Sequence, residues 1–264
     1  MKQFYNKYSI RIITAILAVV LIVMYIWLTI FTNNAHLINP VFTRAVVEKI
    51  EIKNFIGRIE LTTSDAEGFK LEFANRKAGD PAGYYPLFKM GTPTIATIDG
   101  RFAPILSCYP KTKGDAIAPF DIIVEEDKKT YAADSYPTLK ISAKNDIILD
   151  VRKSSVFGFT GDIGGIKFID VKCSDLTIGK IADAAEFDLH GNAFIITGDI
   201  DGDFSLKSTG RNVIDLQNIS GNAIADMDGQ TILTAAEITG NLVTLSAGDN
   251  TIKIENVLGN TTEN

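Results

Sequence analysis

From Ala185 to Asn260 the chain repeats itself every 19 residues without an insertion or a deletion. The beat is plainest where I-S-G-N, I-T-G-N and V-L-G-N close in turn at Asn222, Asn241 and Asn260. Set in rows of 19 from Ile147, the second half falls into columns. The first column reads Ile147, Ile166, Ala185, Phe204, Ala223, Leu242, and two places on it reads Leu149, Phe168, Phe187, Leu206, Ala225, Thr244. Ten places on it reads Phe157, Leu176, Ile195, Ile214, Leu233, Ile252, and a fourth column holds Ile181, Ile200, Ile219, Ile238, Val257. Two glycine columns run beside them, Gly191, Gly210, Gly229, Gly248 and Gly202, Gly221, Gly240, Gly259.

A fixed period of this kind marks a repeat architecture, and the pattern inside each row says which one. Apolar and polar residues alternate, as in Phe204, Ser205, Leu206, Lys207, which is the signature of a strand with one buried face. Helical repeats need about 33 residues or more per unit, so this period is too short for a helix pair. The expected fold is therefore all-β: a parallel β-solenoid, a single-stranded β-helix of about 19 residues per coil. Inward Ile stacks on Ile, Gly takes the corners, and Asn222, Asn241 and Asn260 stack at a turn where amides can bond along the axis, with Asp203 in the same place one coil earlier.

Ahead of the repeats stands an uncharged run of 20 residues, Ile12 to Phe31, long enough as a helix to cross about 30 Å of bilayer. Lys2, Lys7 and Arg11 precede it and the next basic residue is Arg44, so the N-terminus is expected in the cytoplasm and the rest outside. The run exceeds the usual 7–15 residues of a cleaved signal and no A-x-A-like site follows it, which favours an uncleaved anchor. The organisation expected is a cytoplasmic N-terminus over 1–11, a transmembrane anchor over 12–31, a linker over 32–45, N-terminal strands with a Tyr/Pro-rich insertion over 46–138, and the solenoid over 139–264. The localisation that follows is a single-pass protein of a bacterial inner membrane, its C-terminal domain periplasmic or extracellular.

Composition narrows the partners. The whole chain carries 26 basic and 32 acidic side chains, and from Ile147 onward 17 acids face 8 bases. That excess argues against nucleic acid, whose phosphates need clustered Lys and Arg. Seven of the eight prolines fall between Lys77 and Pro137, together with Tyr84, Tyr85, Tyr109 and Tyr131, so this loop-rich insertion is the candidate binding surface. Cys108 and Cys173 lie in the exported part, where a disulfide between them is permitted; two unrelated small core residues fit equally well.

Chemistry-bearing residues are sparse. His36 and His190 are the only histidines, and nothing in the sequence places them in a Ser-His-Asp relay. Asp199, Asp201 and Asp203 in GDIDGDF alternate on an extended chain and are the candidate Ca²⁺ ligands, but the sixth and twelfth positions, Phe204 and Gly210, are not the Gly and Glu of an EF-hand loop. The reading is of a non-enzyme without a cofactor, these acids forming a solvated corner.

The run YPTLKISAKNDIILDV, followed by repeated G-D-I-x-G-D, I-S-G-N and I-T-G-N corners, resembles the "putative adhesin" family with the head GIN domain, over about Val46 to Asn260. The resemblance implies an exported β-solenoid and carries over no catalytic residues. Function is thus expected to be that of a membrane-anchored envelope protein whose solenoid is a non-catalytic binding or adhesin-like scaffold, with a protein or cell-wall polysaccharide as partner. An accessory or structural subunit of a membrane-associated assembly is the alternative, and a glycan-active β-helix enzyme a third reading.

Overall fold

The structure, a computed structural model, describes residues 14, 16–25, 41–66, 68–74, 87–90, 94–99, 105–113, 116–124, 129–132 and 138–263. The chain divides into two compact units, Met1–Pro40 and Val41–Asn264. In the first, residues 16–25 are helical. Among the described residues no helix is long and apolar enough to cross a membrane, and residues 26–31 of the expected span lie outside them.

The second unit is all-β. Its first strands are β1 (Val41–Arg44), β2 (Lys49–Lys53), β3 (Ile56–Ser64) and β4 (Phe69–Ala74). The insertion supplies β5 (Leu87–Met90), β6 (Ile95–Asp99), β7 (Ile105–Lys113), β8 (Ala116–Val124) and β9 (Lys129–Ala132). Then come β10 (Thr138–Lys144), β11 (Ile148–Arg152), β12 (Ser155–Thr160), β13 (Gly165–Ile178), β14 (Ala185–Thr197), β15 (Phe204–Ile219), β16 (Ala223–Ile238), β17 (Leu242–Gly248), β18 (Thr251–Val257) and β19 (Thr261–Glu263).

From β13 onward each coil pairs in parallel with the next, and the registers Ala185↔Phe204↔Ala223↔Leu242 and Ile195↔Ile214↔Leu233↔Ile252 keep the 19-residue step. The long strands turn a corner within themselves at Gly191, Gly210 and Gly229, which pair with one another along the axis. Gly210 has φ +97°, a left-handed conformation, and a Cβ there would fall on the carbonyl oxygen of Gly191. A third, one-residue leg follows. Ile163, Ile181, Ile200 and Ile219 bridge in line, and Ile219 pairs with Ile238. Side chains on these columns are buried and form one continuous core, in which the Phe187 ring stacks on Phe168 and meets Phe204 edge-on.

The coil of β11 and β12 departs from the 19-residue rows. β11 pairs with β13 as Leu149↔Ile166 and Val151↔Phe168, a step of 17, so Ile147 and Leu149 do not head the columns expected of them. β12 pairs with β13 as Gly158↔Leu176, a step of 18, so Gly158 holds the place expected for Phe157. Phe157 instead shares a row with Arg58 and Asp175 on the other side of the sheet. The shortening has local causes. Lys153 takes the β11–β12 corner at φ 48°, and Asp170, at φ 53°, sits within the register shift that interrupts β13.

The solenoid's first coil is built from β2 and β3, which pair in parallel with β11 and β12. Beyond it β6 continues from β2 and β10 from β3, both in parallel, and antiparallel strands follow: β5 on β6, β4 on β10 and β1 on β4. The apolar residues of the first coil are thereby covered, so Ile50, Ile52, Ile59 and Leu61 are fully buried. The insertion, expected to be loop-rich, holds five strands. Three of them, β7, β8 and β9, form a separate antiparallel sheet, with a register irregularity after Pro110 that lets a proline sit within β7.

Candidate binding surface

The acidic corner is structural in its bonding. Asp199 Oδ1 accepts hydrogen bonds from the backbone N–H and Nδ2 of Asn218 at 3.2 and 2.8 Å. Asp203 Oδ1 accepts from the N–H of Asn222 at 2.7 Å, and Asp201 pairs with Lys180 Nζ at 2.8 Å. That contact raises the Lys180 pKa, first through the hydrogen bond to Asp201. Each acid is thus engaged with a neighbouring coil, and among the described residues no group of three His, Cys, Asp or Glu is gathered to hold a metal ion. From Asp203 the chain of bonds continues: Asn241 N–H donates to Asn222 Oδ1 and Asn260 N–H to Asn241 Oδ1, each at 3.0 Å. This is the ladder that the repeated Asn columns implied.

A second ladder escaped the sequence reading. Ser174, Ala193, Asn212, Thr231 and Asn250 occupy one column beside the Gly191–Gly248 corner. Asn212 is fully buried; its Oδ1 accepts from Ala193 N–H at 2.9 Å and its Nδ2 donates to Ser208 Oγ at 2.8 Å. Asn250 Oδ1 accepts from Thr231 N–H at 2.8 Å. The signal was a polar residue in an inward position at every second coil, Asn212 and Asn250.

His190 Nδ1 lies 2.7 Å from Thr209 Oγ1, and its Nε2 lies 3.0 Å from Asp188 Oδ1. The second contact has the length of an ion pair but not the alignment of a hydrogen bond, since Asp188 Oδ1 has no hydrogen-bond partner. A nucleophilic relay requires that bond to orient the imidazole.

Tyr84 and Tyr85 lie outside the described residues. Tyr109 and Tyr131 fall on the three-stranded sheet in adjacent rows, Tyr109 opposite Asp121 and Tyr131 opposite Ile122. Cys108 stands in the row of Ile122 in β7 and Cys173 in β13; their side chains lie outside the described ones.

Charge is concentrated where β2 meets β11. The Asp150 side chain is fully buried, held by Arg152 through Nε and Nη2 at 2.7 Å each and by Lys49 Nζ at 2.7 Å. Burial pushes its carboxyl up, but Arg152 and Lys49 together outweigh it and hold it below the ordinary range. Glu51 is likewise lowered, first by Lys53. Asp175 goes the other way: burial raises it, and Arg58 only partly compensates.

Next to this end of the solenoid a shallow depression of about 230 Å³ opens on the outer face of β4, β10, β3 and β12. Its floor is one row across four strands, Glu72, Lys140, Glu60 and Phe159, with Lys70, Ser142 and Thr62 in the next. The inward neighbours Leu71, Leu139, Ile59 and Leu61 are buried, which fixes the outward set. Glu60 is held by Arg58 at 2.9 Å and Glu72 lies 3.7 Å from Lys70, while Phe159 stays 41% exposed. The result is a rigid strip of alternating charges and hydroxyls ending at an uncovered aromatic ring.

No family model and no curated protein matches the chain. Among solved structures it is similar to a "putative lipid binding protein" from Parabacteroides distasonis, at 12% identity over 84% of this chain and 96% of that one, with a TM-score of 0.32. A "putative adhesin" from Bacteroides fragilis gives 12% identity over 85% and 97%, with a TM-score of 0.29. A "putative cell adhesion protein" from Clostridium sporogenes gives 12% over 86% and 99%, with a TM-score of 0.22. Two of the three are named for adhesion and one for lipid binding, and none of the names mentions a GIN domain.

Proposed function

We propose that this is a membrane-anchored envelope protein whose exported β-solenoid is a non-catalytic, adhesin-like scaffold for a cell-wall polysaccharide. The depression beside Phe159 carries the reading. Its volume of about 230 Å³ falls below the ~300 Å³ at which pockets begin to enclose a drug-sized ligand, so it suits a polymer lying across it. Carboxylates, lysines and hydroxyls in fixed rows match the alternating donors and acceptors of a sugar chain, and an exposed ring supplies an apolar platform. Anchoring is supported by the helical residues 16–25, whose Ile16, Leu17, Val20, Leu21 and Val23 are all exposed, within an uncharged run of 20 residues.

The test is retention of the detergent-solubilised full chain on peptidoglycan and on purified polysaccharide. Phe159→Ala and Lys140→Glu are each expected to weaken retention by about tenfold, the scale of one interface anchor. Absence of retention by wild type, or retention indifferent to both changes, overturns the reading. Protease protection of the N-terminus and accessibility of the Val41–Asn264 unit in spheroplasts test the orientation.

A further inference from the structure

The two ends of the solenoid are finished differently. At the N-terminal end β5, β6, β10, β4 and β1 extend both sheets past the first coil, and the apolar residues there are buried. At the other end β18 pairs only with β16, and β19 only with β17. Among the described residues nothing pairs with their outer edges. The inward positions of β18 show the consequence. Leu233, Ala235 and Ile238 of β16 are at most 5% exposed, but Ile252, Ile254 and Val257, one coil further on, are only partly buried. Leu258 is 61% exposed. A solenoid end that bares its core and a row of backbone groups is a template for another strand.

We propose that this end is the interface of a two-fold homodimer, in which β18 pairs antiparallel with β18 of a second copy about Ile254. The strand's own charges select this occupant and this register. β18 reads Thr-Ile-Lys-Ile-Glu-Asn-Val, with Lys253 and Glu255 exposed on either side of Ile254. Pairing centred on Ile254 sets Lys253 against Glu255 of the second copy, and by symmetry does so twice. Centring on Lys253 or on Glu255 sets like charges directly opposite each other, and centring on Ile252 sets Glu255 against Asp249. Directly opposed unlike charges favour a strand pair and like charges disfavour it. The same register lays Ile254 against Ile254 at the centre, with Ile252 opposite Asn256 and Val257 opposite Thr251. At the opposite end the outermost strands, β1 and β5, run antiparallel to their neighbours, so head-to-tail stacking would not continue the parallel coils. A two-fold contact of this kind closes on itself and yields a dimer rather than a filament. The inference does not depend on what the depression binds.

Sedimentation equilibrium of the full chain in detergent tests it, with wild type expected as a reversible dimer. Lys253→Glu and Glu255→Lys each place like charges opposite one another twice, and each is expected to weaken the dimer about tenfold or more. The double swap K253E/E255K restores both pairs and is expected within about threefold of wild type. The rescue separates this contact from any association through the apolar N-terminal run. Ile254→Cys gives an independent reading: directly opposed residues lie about 4.5–5.5 Å apart at Cα, within disulfide reach, so mild oxidation should produce a covalent dimer beyond any seen with wild type. A monomer at every concentration, an open filament, a dimer indifferent to the single swaps, losses that the double swap does not restore, or no cross-link at residue 254 each overturns the proposal. So does a stoichiometric foreign protein held at this edge.

Discussion

Phe187 is the place to test whether the coils pack as stacked layers. It is 1% exposed and sits between two rings, with centroids 5.2 Å from Phe168 in a stacked arrangement and 5.6 Å from Phe204 edge-on. Replacing it with Leu keeps the site apolar and costs up to about 1.5 kcal/mol for shape. Two aromatic pairs are also lost, at about 0.5–1.5 kcal/mol each, so Phe187→Leu should cost about 1–4.5 kcal/mol. Phe187→Ala should reach about 3–5 kcal/mol, because a cavity is added. The sharper measurement is a pair of double-mutant cycles. Phe168→Leu with Phe187→Leu should couple by about 0.5–1.5 kcal/mol. Phe168→Leu with Phe204→Leu, two layers and roughly 9.6 Å apart, should be additive within about 0.5 kcal/mol. Urea unfolding followed by the far-ultraviolet β band is the assay, since the single tryptophan, Trp27, lies outside the solenoid. Equal coupling in both cycles, or none in the first, would refute a layered core.

Other expectations follow from named contacts. Gly240→Ala puts a Cβ onto the carbonyl of Gly221 and should abolish soluble expression of the folded unit, whereas Gly165→Ala, whose Cβ meets nothing nearer than the Ala184 carbonyl oxygen at 3.5 Å, should lower the yield far less. Asn241→Ala removes the acceptor for Asn260 N–H and the donor to Asn222, and should lower stability by about 1–3 kcal/mol in urea titration. Asp150 and Glu51 have lowered pKa values when folded, so their contribution is present above about pH 4 and is lost as pH falls through the folded values. Acid unfolding of Asp150→Asn should accordingly be shallower than that of wild type. Asp175 is raised, so the native state loses stability as pH climbs past its ordinary value; Asp175→Asn should raise the unfolding midpoint at pH 7 and leave it unchanged near pH 3.

The solenoid was legible because inward side chains recur in strict register: Ile200, Ile219 and Ile238 stand in line as their spacing required. The coil of β11 and β12 was not, for a reason of parity. A step of 17 differs from 19 by two residues, which keeps every side chain on its own face, so Ile147 and Leu149 fit the wrong column as well as Leu149 and Val151 fit the right one. At Phe157 the step differs by one: the residue is buried, as its apolar character implied, but it stands one row away from the inward column, whose place Gly158 takes. The depression was invisible to a periodic reading because β10, about 65 residues after β4, inserts between β4 and β3. Only the alternation in Arg58-Ile-Glu60, Lys70-Leu-Glu72 and Lys140-Ile-Ser142 hinted at charged faces that the fold then set side by side.

Because the rungs of β14, β15 and β16 meet one another in the same unbroken register, they are interchangeable parts. Duplicating one 19-residue unit, such as Ala185–Asp203, would lengthen the rod by about 4.8 Å and leave both its terminal surfaces as they are. Reach is therefore a quantity that gene duplication can adjust in fixed increments, independently of whatever either extremity touches.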